Sequence, residues 1–187
     1  VYENAPGGWL ISAHERAAAA LANRGAPAGA RAHHVERSAR HGDIDAIAVL
    51  TEAARAAAAR APASAGRLFE AALRILPESA SAEQRAHLLD GLAGARSAIG
   101  WFEGAYDAVS ERAGLSADAP LAERLRLTTV MASLENLLGR NAQAHSRLAV
   151  ALDELPDQLT PEAAALMAEI GIDAFFRMDY GAMRRFA

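Results

Sequence analysis

The segment "SAGRLFEAALRILP", Ser64 to Pro77, sets Ala65, Phe69, Ala72 and Leu76 on one helical face and closes on a proline. Counted from Ala65, offsets 0, 4, 7 and 12 hold Ala65, Phe69, Ala72 and Pro77. The same offsets return Ala144, Leu148, Ala151 and Pro156 in "QAHSRLAVALDELP". They also return Ala105, Val109 and Arg112, where the third small residue and the proline are lost, and a fourth copy opens at Met183. The anchors 65, 105, 144 and 183 stand 40, 39 and 39 residues apart. Twelve positions before them lie Ala53, Ala93, Ala132 and Gly171, all small. Five positions before them, Gly100 and Gly139 are helix breakers, while Arg60 and Met178 depart from the pattern. A constant period in one phase is a repeat of two-helix units. The small residue of the second helix faces the small residue of the first, letting the backbones approach to the short end of the roughly 8–10 Å range. One such pair cannot bury its apolar face alone, so pairs stack.

Punctuation along the chain agrees. Helices are expected over about Trp9–Arg24, Ala28–Arg40 and from an Asp43 N-cap to Arg60, followed by the opening segment between Pro62 and Pro77. Ser81 and Gln84 form a capping box for a helix to Ile99, and another runs from Phe102 to Ala113. Pro120–Leu138, Asn141–Leu155 and a Thr160-capped helix to Met178 come next, and a last helix opens at Asp179-Tyr180. Short loops make neighbours antiparallel. The fold expected is all-α: antiparallel helix pairs, at about 43–77, 81–113, 120–155 and 160–187, stacked as a tetratricopeptide-like right-handed superhelical solenoid.

Composition narrows the chemistry. About a quarter of the 187 residues are alanine and only 5% are aromatic, which favours closely packed helices, and no window alternates as a strand does. All 19 basic residues are arginine, so neither a P-loop lysine nor a Schiff-base lysine exists in this segment. Without cysteine there is no disulfide, thiol nucleophile or thiolate metal site, and a reducing cytoplasm fits. A net charge of −4 gives no footprint for nucleic acid, and no apolar run reaches the roughly 20 residues of a membrane span. Both ends, "VYENAPGG" and "GAMRRFA", read as cuts in a longer chain.

The small–aromatic–small–proline pattern, with Ile170-Gly171 in the last first helix, is similar to tetratricopeptide units, although its period is roughly five residues longer than their 34. The lengthened form resembles the repeat arm of large ATP-binding LuxR-type transcriptional regulators, the maltose-regulator class of signalling ATPases. "VYENAPGGWLISAHERAAAALANRGAP" resembles the end of the winged-helix segment that follows their ATPase module. "ARAHHVERSARHGDIDAIAVLTEAARAAA" resembles their bridging segment. The resemblance implies a winged-helix-like end over 1–25 and repeats over 26–187. It implies ATP and Mg on a module outside this segment, a DNA-reading helix-turn-helix beyond it, and no cofactor, catalysis or direct nucleic-acid contact here.

His33, His34, Glu36 and His41 form the densest set of potential metal ligands, but their spacing matches no zinc pattern, and the resemblance implies that this His-His helix packs at the junction to the repeats. Glu15, Glu36, Asp43, Asp45 and Asp90 include no carboxylate pair in an apolar setting, so caps and solvated faces account for them. No G-x-S-x-G elbow supports a serine triad. Trp9 and Trp101 read as packing residues. In tetratricopeptide-like arms the first helix of each pair lines the concave groove, and that places His87, Asp90 and Ser97 there from the second unit. Arg126, Thr129, Ser133 and Asn136 come from the third, and Ile172, Phe175 and Phe176 from the fourth. Arg126 suits an anionic group, Asn136 backbone amides, and the Phe pair an apolar side chain. The partner expected is a protein or small-molecule effector in that groove, with a homodimer as a further candidate and no membrane.

Overall fold

The structure, a computed structural model, describes residues 7–116, 118–155 and 160–186. Among them it contains ten helices and no strand: α1 Gly7–Asn23, α2 Ala28–Ser38, α3 Ile44–Ala57, α4 Pro62–Ile75, α5 Ala82–Ala98, α6 Phe102–Gly114, α7 Leu121–Leu137, α8 Asn141–Asp153, α9 Pro161–Phe176 and α10 Tyr180–Phe186. The Val1, Tyr2 and Pro6 marks of the N-terminal segment, and Pro156, lie outside the described residues.

The expected helix starts hold at atomic detail. The Asp43 carboxylate accepts from Ala46 N at 2.9 Å and Thr160 Oγ1 from Ala163 N at 3.2 Å. Ser81 and Gln84 exchange both bonds of the capping box, each at 3.1 Å. Helix ends differ by a few residues. α2 stops at Ser38 rather than Arg40, where Ser38 Oγ turns back onto His34 O and Ala39 becomes extended.

The chain forms two compact units, Val1–Gly100 and Trp101–Ala187. In the first, α1 through α5 each pack on the next, and α2 also touches α4 and α3 touches α5. In the second, α6 packs on α7, α7 on both α8 and α9, α8 on α9, and α9 on α10. The division falls at Gly100, inside the stretch 81–113 that the repeat pattern reads as one pair.

Positions of the repeat register are buried. Ala65, Ala105 and Ala144 are each 0% exposed. Phe69, Val109 and Leu148, four residues on, are buried as well, as are Ala53, Ala93 and Ala132. In the second unit Ala132 and Ala144 share one cluster with Leu125, Leu148, Ala151, Leu166 and Ile170. Arg112, which replaces the third small residue, is nonetheless buried, and its guanidinium bonds Ser116 and Glu123.

Gly100 and Gly139 end their helices in the left-handed region, at φ 77° and 73°. Met178, a further 39 residues on, adopts the same region at φ 56°. Behind Gly139 the Arg140 N–H bonds Glu135 O at 2.8 Å, and behind Met178 the Asp179 N–H bonds Ala174 O at 2.8 Å. The helix-ending turn is therefore kept where its glycine is lost, at a conformational cost of roughly 1–2 kcal/mol for a side-chain-bearing residue.

Candidate binding surface

α7 and α9 carry the most distinctive surface of the second unit. Arg126, Val130 and Leu137 are exposed on α7, with Ser133 half-buried among them. Ile172, Phe175 and Phe176 are exposed on α9, Phe175 by 62%, and the two phenyl rings meet edge to face at 6.0 Å. Exposed apolar side chains that adjoin into one patch are the surface features associated with partner contact.

Beneath this row the structure places the other expected residues differently. Ser133 Oγ donates to Glu169 Oε2 at 2.6 Å, joining α7 to α9, and Thr129 Oγ1 is spent on Leu125 O of its own helix at 2.9 Å. Asn136 is only 3% exposed, so its amide faces the interior rather than a groove. Its Oδ1 and Nδ2, with Glu169 Oε1 and Asp173 Oδ1, are buried without a hydrogen-bond partner. Such atoms cost about 1–3 kcal/mol each unless water reaches them. His87 and Asp90 are exposed on α5 in the first unit, where both line an open cleft of about 610 Å3 beside Arg55 and Gly91. Ser97 is half-buried on the same helix.

A buried carboxylate layer adds to what the sequence showed. Glu135, 0% exposed, accepts from Arg147 Nε and Nη2 at 3.0 and 2.7 Å and from Tyr106 Oη at 3.0 Å. Asp173 Oδ2, also 0% exposed, meets His145 Nδ1 at 3.1 Å and Arg177 Nε at 3.0 Å. Tyr106 and His145 are 39 residues apart, and Glu135 and Asp173 are 38 apart. Twice, then, a polar residue of a second helix reaches a buried acid on the next first helix. That period is the one signal of the layer in the sequence, and the alanine-dominated anchors obscure it. The Glu135 pairing holds the Arg147 guanidinium above its ordinary pKa.

Four of the acidic candidates have structural roles. Glu15 pairs with Arg40 and Glu36 with Arg67, Asp43 caps α3, and Asp45 sits in its first turn. Contrary to the packing role expected of them, Trp9 and Trp101 are 52% and 50% exposed, although the Trp101 indole lies against Gly104. Among the described residues no three His, Asp or Glu side chains are arranged to hold a metal ion. His33 and His34 instead pack with His14 of α1, at ring-centroid distances of 5.1–5.6 Å, and His14 Nδ1 lies 2.9 Å from His34 Nδ1. His41 is exposed.

Partial burial, then the His34 and His33 imidazoles and the Arg37 guanidinium, push His14 below its ordinary pKa of 6.5. The fold thus prefers the neutral ring. As pH falls below 6.5 the unfolded chain takes up this proton before the folded one, so stability is lost from that point down to the folded value and is level above it. Thermal unfolding should start at a lower temperature at pH 5 than at pH 7.5, and His14→Gln should remove part of that difference. An equal difference in the variant would refute the assignment.

No protein-family model matches the chain, and no curated protein matches it. Among solved structures it is similar to the crystal structure of a variant of a Podosopora anserina putative kinesin light chain with nearly identical TPR-like repeats. The identity is 17%, the TM-score 0.70, and the match covers 94% of this chain and 90% of that one. The fold is therefore a tetratricopeptide-like helical repeat. No described helix is long and apolar enough to cross a membrane.

Proposed function

We propose that this chain is a non-catalytic interaction scaffold, the effector- or partner-binding arm of a cytoplasmic ATP-binding LuxR-type transcriptional regulator. The observation that carries the scaffold reading is the exposed row on α7 and α9, with Val130, Leu137, Ile172, Phe175 and Phe176 in water beside Arg126. The regulator reading rests on the resemblance of the first 60 residues to the winged-helix end and bridging segment of that class. Occupation of the row would favour one packing of neighbouring helix pairs over another and so bias the ATPase and DNA-binding modules of the same polypeptide.

Two measurements test it. The complete open reading frame should encode a nucleotide-binding loop upstream and a helix-turn-helix downstream. If it encodes neither, the regulator assignment falls and the repeat scaffold of another signalling ATPase or cyclase replaces it. In the complete protein, Phe175→Ser with Phe176→Ser should lower partner-dependent transcription by about tenfold or more, since exposed aromatic anchors carry most of a contact's energy. An unchanged response would remove the row from the mechanism.

A further inference from the structure

We propose that a second surface of the second unit, the cleft between α7 and α8, binds a small molecule built of a carboxylate and an apolar body. The cleft holds about 500 Å3, within the range of small-ligand sites, and Ala113 of α6 also lines it. Two arginines line it, Arg124 from α7 and Arg147 from α8, together with Thr128, Ser146 and Gln143. Leu127, Met131 and Val150 supply an apolar wall.

The two arginines are held differently, and that difference defines the ligand. Glu135 grips Arg147 through Nε and Nη2, fixing the plane of a five-donor group and leaving N–H donors over. Arg147 is thus preorganised and its charge is secured. Arg124 is answered by Glu154, also of the cleft lining. That pair is exposed, 43% and 47% at the side chains, and such pairs are worth only about 0–1 kcal/mol. A ligand carboxylate can take the place of Glu154 on Arg124 at little cost while also meeting the fixed Arg147. A neutral ligand gains neither contact. Glu154 then acts as a built-in competitor: it fills the anion position when the cleft is empty and sets a threshold for the effector.

This deepens the scaffold reading by naming the effector's chemistry, and it involves none of the α7–α9 row. Hexanoate, hexanamide and inorganic phosphate would be titrated into the isotope-labelled chain, following the Thr128 and Ser146 amides and Arg147 Nε by NMR. Hexanoate should saturate these signals about tenfold more tightly than hexanamide, and phosphate, lacking an apolar body, should bind more weakly than hexanoate. Arg124→Ala should cost hexanoate about tenfold, whereas Glu154→Gln should tighten it several-fold. Both variants are at exposed positions and leave the core intact. Equal binding of hexanoate and hexanamide, no saturable shift, or no gain in Glu154→Gln would overturn the proposal. Each of those outcomes would leave the Phe175 and Phe176 experiment, and the reading it tests, untouched.

Discussion

Replacing Glu135 with alanine is expected to destabilise the second unit by about 3–5 kcal/mol, because it strands a guanidinium whose paired anion has gone. The Glu135 carboxylate is 0% exposed and takes Arg147 Nε and Nη2 and the Tyr106 hydroxyl. Arg147 keeps 28% of its side chain in water, so some rehydration brings the loss toward the lower end of that range. The paired change Glu135→Leu with Arg147→Met should recover most of it, since desolvation of both charges no longer has to be offset. Urea unfolding of the four corners of this cycle gives the coupling. A Glu135→Ala variant within about 0.5 kcal/mol of the parent would mean that the carboxylate layer merely fills space.

That layer also explains what could and could not be read from the residues. Caps, breakers and the 39-residue spacing of small residues are local or strictly periodic, and each reappears as a bond or a buried alanine. The groove reading takes Arg126, Thr129, Ser133 and Asn136 as one stripe, but a helix turns about 100° per residue. Over the ten positions from Arg126 to Asn136 the stripe falls about 80° short of whole turns and drifts from solvent into the packed side. Eleven positions, Arg126 to Leu137, return to within about 20°, and the exposed row follows that line through Val130. Buried acids such as Glu135 and Asp173 are hidden for another reason. Composition treats an acidic residue as surface, and only its partner, arriving from a different helix, makes burial tolerable.

The tetratricopeptide-like architecture does not by itself choose among these surfaces, because function on a repeat fold lives in side chains that packing leaves over. On α7 the packing side and the free side are adjacent: Ser133 touches Glu169 while Val130 and Leu137 remain in water. Substitutions at the free positions therefore separate binding from folding, which substitutions at Asn136 or Glu169 would confound.

The contact between Phe69 of α4 and Gly91 of α5 gives the second large effect. Phe69 is 3% exposed, and a Cβ placed on Gly91 would lie 2.6 and 2.7 Å from its Cε1 and Cε2 atoms. The ring is buried against α5, so Gly91→Ala meets overpacking of about 1–3 kcal/mol against a helix-propensity gain of about 1 kcal/mol. The net sign is destabilising, opposite to the usual result of glycine to alanine within a helix. Phe69→Ala should cost about 3–5 kcal/mol through the cavity it opens. The two changes answer each other: Phe69→Leu should make Gly91→Ala neutral or favourable, because the clash is lost and the propensity gain remains. The sequence already contains this exchange, since the repeat that puts Val109 in the place of Phe69 puts Val130 in the place of Gly91. Chemical unfolding of the single and double variants measures it, and a stabilised Gly91→Ala in the presence of Phe69 would show that the ring does not require the glycine.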